Sequence, residues 1–119
     1  MLYIDDDPVM AVMVEGLLQR WGYCVTCLTD PLQARQRLRD DAMAFDVVVT
    51  DFNMPELSGL ELAREAARLR PGLPVIITSG YVSDAMRAEV GQAGVHHVMQ
   101  KEFTLEQLAQ LVHGALNGT

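Results

Sequence analysis

The residues with most chemistry in this chain stand at the ends of short apolar runs. Asp5, Asp6 and Asp7 follow "LYI"; Thr50 and Asp51 end "DVVVTD"; Thr78 and Ser79 end "PVIITS"; Gln100 and Lys101 follow "VHHVM". Carboxylates gathered at one point repel one another and raise each other's pKa unless a cation joins them. A small hard dication suits such a cluster: Mg2+ takes oxygen ligands and keeps several waters, so two or three carboxylates plus a carbonyl serve it better than they serve Zn2+, which wants His or Cys. With such a cation present, Asp51 becomes a nucleophile toward phosphorus, Lys101 pairs with one phosphoryl oxygen and a hydroxyl takes another. The plain alternative is that these aspartates are helix caps and turn residues. Any one of them could be so; the convergence of four strand ends argues for a site.

Such a convergence needs elements that bring distant segments to one edge. β-rich runs at 2–4, 23–28, 46–50, 74–78 and 95–99 alternate with segments of helical spacing, five times over. After Pro8, Met10, Met13, Leu17 and Trp21 share a helical face. Asp30 followed by Pro31 caps a second helix reaching about Arg39. A third spans Gly59 to Leu69, before Pro71-Gly72. Ser83 caps a fourth that ends near Gly91 to Gly94, and Thr104 with Gln107 forms a capping box for a fifth striped by Leu105, Leu108, Ala109, Val112 and Leu116. Continuous apolar strands such as "VVV" and "PVII" fit a sheet covered on both faces, so the class is α/β with a parallel sheet. In open sheets of this kind ligands bind beyond the carboxyl ends of the strands, where the polar residues fall.

The 119 residues, half of them hydrophobic, suit one domain with one core. A net charge of -7 opposes nucleic acid and anionic lipid as direct partners. No apolar run has the length of a membrane span and no basic-then-apolar leader opens the chain, which gives the expectation of a cytoplasmic domain without direct membrane contact. Cys24 and Cys27 have C-x-x-C spacing, but in a strand the two point to opposite faces, so they are read as buried or edge thiols rather than a redox pair. His96, His97 and His113 have no ligand spacing and are read as structural or surface residues, and the seven methionines mostly as helical core.

The stretches "IDDDP", "VVVTDFNMPELSGLEL", "LPVIITSGY" and "AGVHHVMQKEF" resemble the signature segments of the receiver domain of two-component response regulators, each at its expected place along essentially the whole chain. The resemblance implies a flavodoxin-like (βα)5 sheet of order 2-1-3-4-5, and Mg2+-dependent phosphorylation of one aspartate by a histidine kinase or a histidine phosphotransfer domain, in cis or in trans. It makes Asp51 the phosphoacceptor and Asp5 and Asp6 the acidic pair at the metal, Asp6 directly and Asp5 through water. Asn53 would offer its backbone carbonyl to the metal, and Lys101 matches the lysine ending strand five. Of the two hydroxyls, Ser79 lies five residues after Pro74 and fifteen before Gly94, the family's placing of the switch hydroxyl, with Thr78 as its core-facing neighbour. Tyr81 would then line the water's route. The face made by the fourth helix, fifth strand and fifth helix would change on phosphorylation and could pair two copies.

Two positions depart from the family. Glu102 stands where proline usually follows the lysine in a cis peptide, and a cis bond before a non-proline residue costs about 2.5–4 kcal/mol, so a trans bond is expected. Val98 stands where many receivers carry a rotating aromatic, which removes that form of coupling. Rival readings are a Mg2+-dependent aspartyl-phosphate phosphatase, disfavoured because Asn53 replaces the usual second acid, and a receiver-like interaction module that is never phosphorylated. The "YIDDDP" and "TSGY" wording resembles receivers of hybrid sensor histidine kinases, whose cytoplasmic part a single receiver at 1–119, cut from a longer protein, would form.

Overall fold

The computed structural model describes residues 1–95, 97–100 and 105–116. Strands and helices alternate: β1 (Leu2–Ile4), α1 (Pro8–Arg20), β2 (Thr26–Leu28), α2 (Pro31–Asp40), a 3-10 turn (Ala42–Ala44), β3 (Val48–Asp51), α3 (Gly59–Leu69), β4 (Val75–Ser79), α4 (Asp84–Gln92), β5 (His97–Gln100) and α5 (Leu105–Leu116). All pairings are parallel, in the order β2-β1-β3-β4-β5. The two strands that end in aspartate, β1 and β3, are therefore neighbours, with Ile4 beside Thr50, and β4 follows with Thr78 beside Asp51. The expected sheet order and class are those observed.

The helices start where the caps were read. Asp7 Oδ1 accepts from the backbone N–H groups of Val9 and Met10, with Pro8 at the first helical position. Asp30 and Ser83 accept from Leu32 and Met86 in the same way, and Ser58, which was not read as a cap, accepts from Glu61. Thr104 lies outside the described residues. β2, β3 and β5 begin two or three residues later than their composition indicates. Tyr23 donates to Leu18 O and Gly22 turns at φ 93°, so residues 23–25 finish the exit from α1 before β2 starts. Val95 likewise donates to Val90 O at the end of α4, with Gly94 at φ 89°, and β5 starts at His97.

Strand pleating sends alternate residues to two separate apolar layers. Leu2, Ile4, Val48 and Ile77 pack with Ala34 and Leu38 of α2, Leu62 and Ala66 of α3, and Met86 and Val90 of α4. Tyr3, Val49 and Ile76 pack with Ala11, Val14 and Leu18 of α1 and with Leu108, Ala109 and Val112 of α5. Each buried aliphatic side chain contributes about 1.5–3 kcal/mol. The stripe read on α1 is thus corrected: Met13 and Trp21 are about half exposed, at 51% and 48%, and the buried face is Ala11, Val14, Leu18. "VMAVMV" is apolar all round, so periodicity could not orient the helix. The methionines are corrected with it. Met86 is buried, Met13 and Met43 are exposed, and the other four are half-buried. Across the surface, Glu65 of α3 accepts from Arg39 of α2 and from Arg68, which holds its carboxyl below the usual range. Among the described residues no helix is long and apolar enough to cross a membrane.

Candidate functional site

The buried polar and charged residues among those described are Asp5, Thr50, Asp51, Thr78 and Ser79, and all lie at the carboxyl edge of β1, β3 and β4. A sheet covered on both faces hides polar groups only where they find partners. No buried side-chain nitrogen or oxygen among the described residues lacks one. Among the described residues, the buried side chains of polar and charged type therefore gather at one edge of the sheet.

Asp5, Asp6 and Asp51 each turn a carboxylate oxygen to this edge, and the three oxygens lie within 4.8 Å of one another. Asp5 and Asp51 are buried, at 1% and 4% exposure, whereas Asp6 faces solvent. β1 supplies the first pair and β3 the third because the sheet makes those strands adjacent. Asp5 is held at both oxygens: Oδ1 accepts from Asp7 N–H at 3.0 Å, and Oδ2 from the Tyr3 hydroxyl at 3.2 Å. Burial, then the Asp5 charge, pushes the Tyr3 phenol far above its usual range, so it keeps its proton and donates. Three oxygens of this kind, one side open to water, are a donor set for a hard divalent cation and a poor one for a soft metal.

The backbone around Asp51 is fixed from several sides. Phe52 N–H donates to Thr78 O at 2.7 Å, Gly59 N–H donates to Phe52 O at 2.9 Å, and the Thr50 hydroxyl donates to Asp51 O at 3.1 Å. Between them the chain turns through Glu56, at φ 72°, where Leu57 N–H closes a three-residue turn on Pro55 O. Asn53 is exposed in this segment. Thr78 is the register partner of Asp51, and Ser79 follows at the last position of β4, with both side chains buried. The Ser79 hydroxyl donates to Tyr81 O at 2.9 Å, while the Tyr81 ring is 76% exposed. Val98 is half-buried against the layer of α2, α3 and α4. Lys101, Glu102 and the bond between them lie outside the described residues, as does His96.

Two residues here were not singled out from sequence. Tyr3 was legible in principle, since two residues before Asp5 in a strand is the same face. Gly59 was not, because its role is a contact: a Cβ there would sit 2.3 Å from Asp51 O.

Comparison with known proteins agrees with this architecture. The family described as response regulator receiver domain matches residues 1–113. The transcriptional regulatory protein ZraR of Klebsiella oxytoca is 30% identical over 99% of this chain, which spans only 26% of that relative's length. A response regulator receiver domain protein from Clostridium thermocellum superposes with a TM-score of 0.90 at 27% identity, covering 98% of this chain and 92% of that one. A response regulator protein from Burkholderia pseudomallei, solved with a phosphorylated aspartic acid, a calcium ion and citrate, superposes with a TM-score of 0.80 at 26% identity, covering 97% of this chain and 64% of that one. With five parallel strands in this order and an acidic cluster where β1 and β3 end, the chain belongs to the response regulator receiver domain family of two-component systems.

Proposed function

We propose that Asp51 accepts a phosphoryl group from a phosphohistidine, on a histidine kinase or a histidine phosphotransfer domain, and that the chain acts as a phosphorylation-controlled switch. The observation that carries this reading is the cluster of Asp5, Asp6 and Asp51 oxygens within 4.8 Å. Asp6 and Asp51 would hold Mg2+ with the backbone carbonyl of Asn53, and Asp5 would act through a water. The ion supplies charge neutralisation of the entering phosphoryl oxygens. An Asp51 carboxylate oxygen forms the new bond to phosphorus as the bond to the donor's imidazole nitrogen breaks, and the ring, protonated on its other nitrogen while it carries the phosphoryl group, leaves as neutral imidazole. Lys101 and Ser79 would each take a phosphoryl oxygen, drawing Ser79 from its bond to Tyr81 O. The state that binds these oxygens better gains population, and the face of α4, β5 and α5 would carry the change to a partner or a second copy. The Burkholderia relative with a phosphorylated aspartic acid supports the chemistry. The setting we favour is a phosphorelay in which this receiver is joined to a sensor kinase.

Intact-mass measurement after incubation with Mg2+ and acetyl phosphate tests the reading. One phosphate adduct is expected on the wild type and none on Asp51→Asn. An adduct surviving that substitution would overturn the assignment, and steady turnover of a phosphate ester would point to a phosphatase instead.

A further inference from the structure

We infer that Tyr3 is a positioning residue for the metal centre: its buried hydroxyl, bonded to Asp5 Oδ2, sets the orientation in which Asp5 meets the cation. The inference rests on the reading of that centre as a Mg2+ site.

The argument starts from an oddity in β1. Leu2 and Ile4 are fully buried aliphatics, and Tyr3 between them is 1% exposed beneath α1 and α5. Phenylalanine would fill the same space. A hydroxyl in an apolar layer costs about 1–3 kcal/mol unless it is bonded, so a tyrosine here needs a partner in reach. The chain supplies one from its own strand: Asp5, two residues on, points to the same side, and the two oxygens stand 3.2 Å apart.

Asp5 gains more from the contact than Tyr3 does. Its carboxylate is buried at 1% exposure, and rotation about its last side-chain bond decides which lone pairs face Asp6 and Asp51. Asp7 N–H fixes Oδ1, and the Tyr3 hydroxyl, held in the apolar layer, fixes Oδ2. Asp5 reaches the cation through its water, and a donor behind it restricts its orientation before the metal arrives. Loss of a donor behind a directly bound ligand typically weakens metal binding ten- to a hundred-fold, so the low end of that range applies here. Asp6, exposed to solvent, is the adaptable member of the pair.

Tyr3→Phe removes one oxygen and preserves the ring. Calorimetric titration with Mg2+ should show a dissociation constant about tenfold higher than wild type, in line with the loss of such a donor. The melting temperature in chelator should change by only a few degrees. A merely structural Tyr3 would lower melting and leave the dissociation constant unmoved, which overturns the inference while the proposed function stands. Wild-type protein that binds no Mg2+ overturns both. Should Tyr3→Phe fail to fold, wild-type protein carrying 3-fluorotyrosine decides: the fluorine signal of residue 3 should shift along the Mg2+ saturation curve while that of Tyr23 stays still, and a residue 3 signal indifferent to Mg2+ overturns the inference.

Discussion

At the scale of single residues, chemistry follows surroundings more than identity. Cys24 and Cys27 are three residues apart and both are free, yet Cys24 is exposed and Cys27 is half-buried against α1, its thiol donating to Ala11 O at 3.5 Å. Burial, with Glu15 nearby, pushes the Cys27 thiol up to about 12. The thiolate is the nucleophile, so at pH 8 Ellman's reagent should label one thiol quickly, and Cys24→Ser should abolish that fast phase. A second equally fast thiol in native protein would contradict the assignment. The sign for stability follows from the same shift. Cys27 favours the folded state fully below about pH 9, and that preference drains away as pH rises toward 12. The three aspartates after β1 divide in the same manner: Asp7 is spent on the start of α1, while Asp5 and Asp6 face Asp51.

At the scale of elements, the decisive contact is that of α3 with the end of β3. Gly59 is the first residue of α3, and only a residue without Cβ lets the helix approach Asp51 O so closely. Gly59→Ala must push the two apart. We expect a loss of about 1–3 kcal/mol in denaturant unfolding, together with slower phosphorylation by acetyl phosphate, because the backbone that aims Asp51 has moved. Unchanged rates would show that α3 does not set the acceptor's position. The elements also show what a sequence can convey. α3 was legible because its helical spacing stops before Pro71 and Gly72, and the sheet edge was legible because Asp5, Asp51 and Ser79 each follow an apolar run. The buried face of α1 was not, since apolar residues surround that helix and only its contacts with β1, β3 and α5 select Ala11, Val14 and Leu18. The starts of β2 and β5 were hidden for a related reason: Tyr23 and Val95 lie in runs of strand composition but donate their N–H groups to helix ends.

At the scale of the whole molecule, a chain of net charge -7 concentrates three carboxylates at one edge, so cation binding and stability are linked. An ion that binds only the folded chain stabilises it by about 2.7 kcal/mol at a hundred times its dissociation constant. Saturating Mg2+ should therefore raise the melting temperature by several degrees, and Asp6→Asn should melt at nearly the same temperature with and without the ion. A Mg2+ shift retained in Asp6→Asn would remove that residue from the site. How such an experiment is observed depends on Trp21, the chain's single tryptophan, which closes α1 at the end opposite Asp7. The 13 residues of that helix put the indole about 20 Å from the carboxylates. Its fluorescence is half open to solvent already and will report the cooperative loss of the fold while remaining dark to occupancy of the edge. An optical reporter of the phosphorylated state has to be installed elsewhere, and Tyr81, exposed beside Ser79, is the place the structure offers for it.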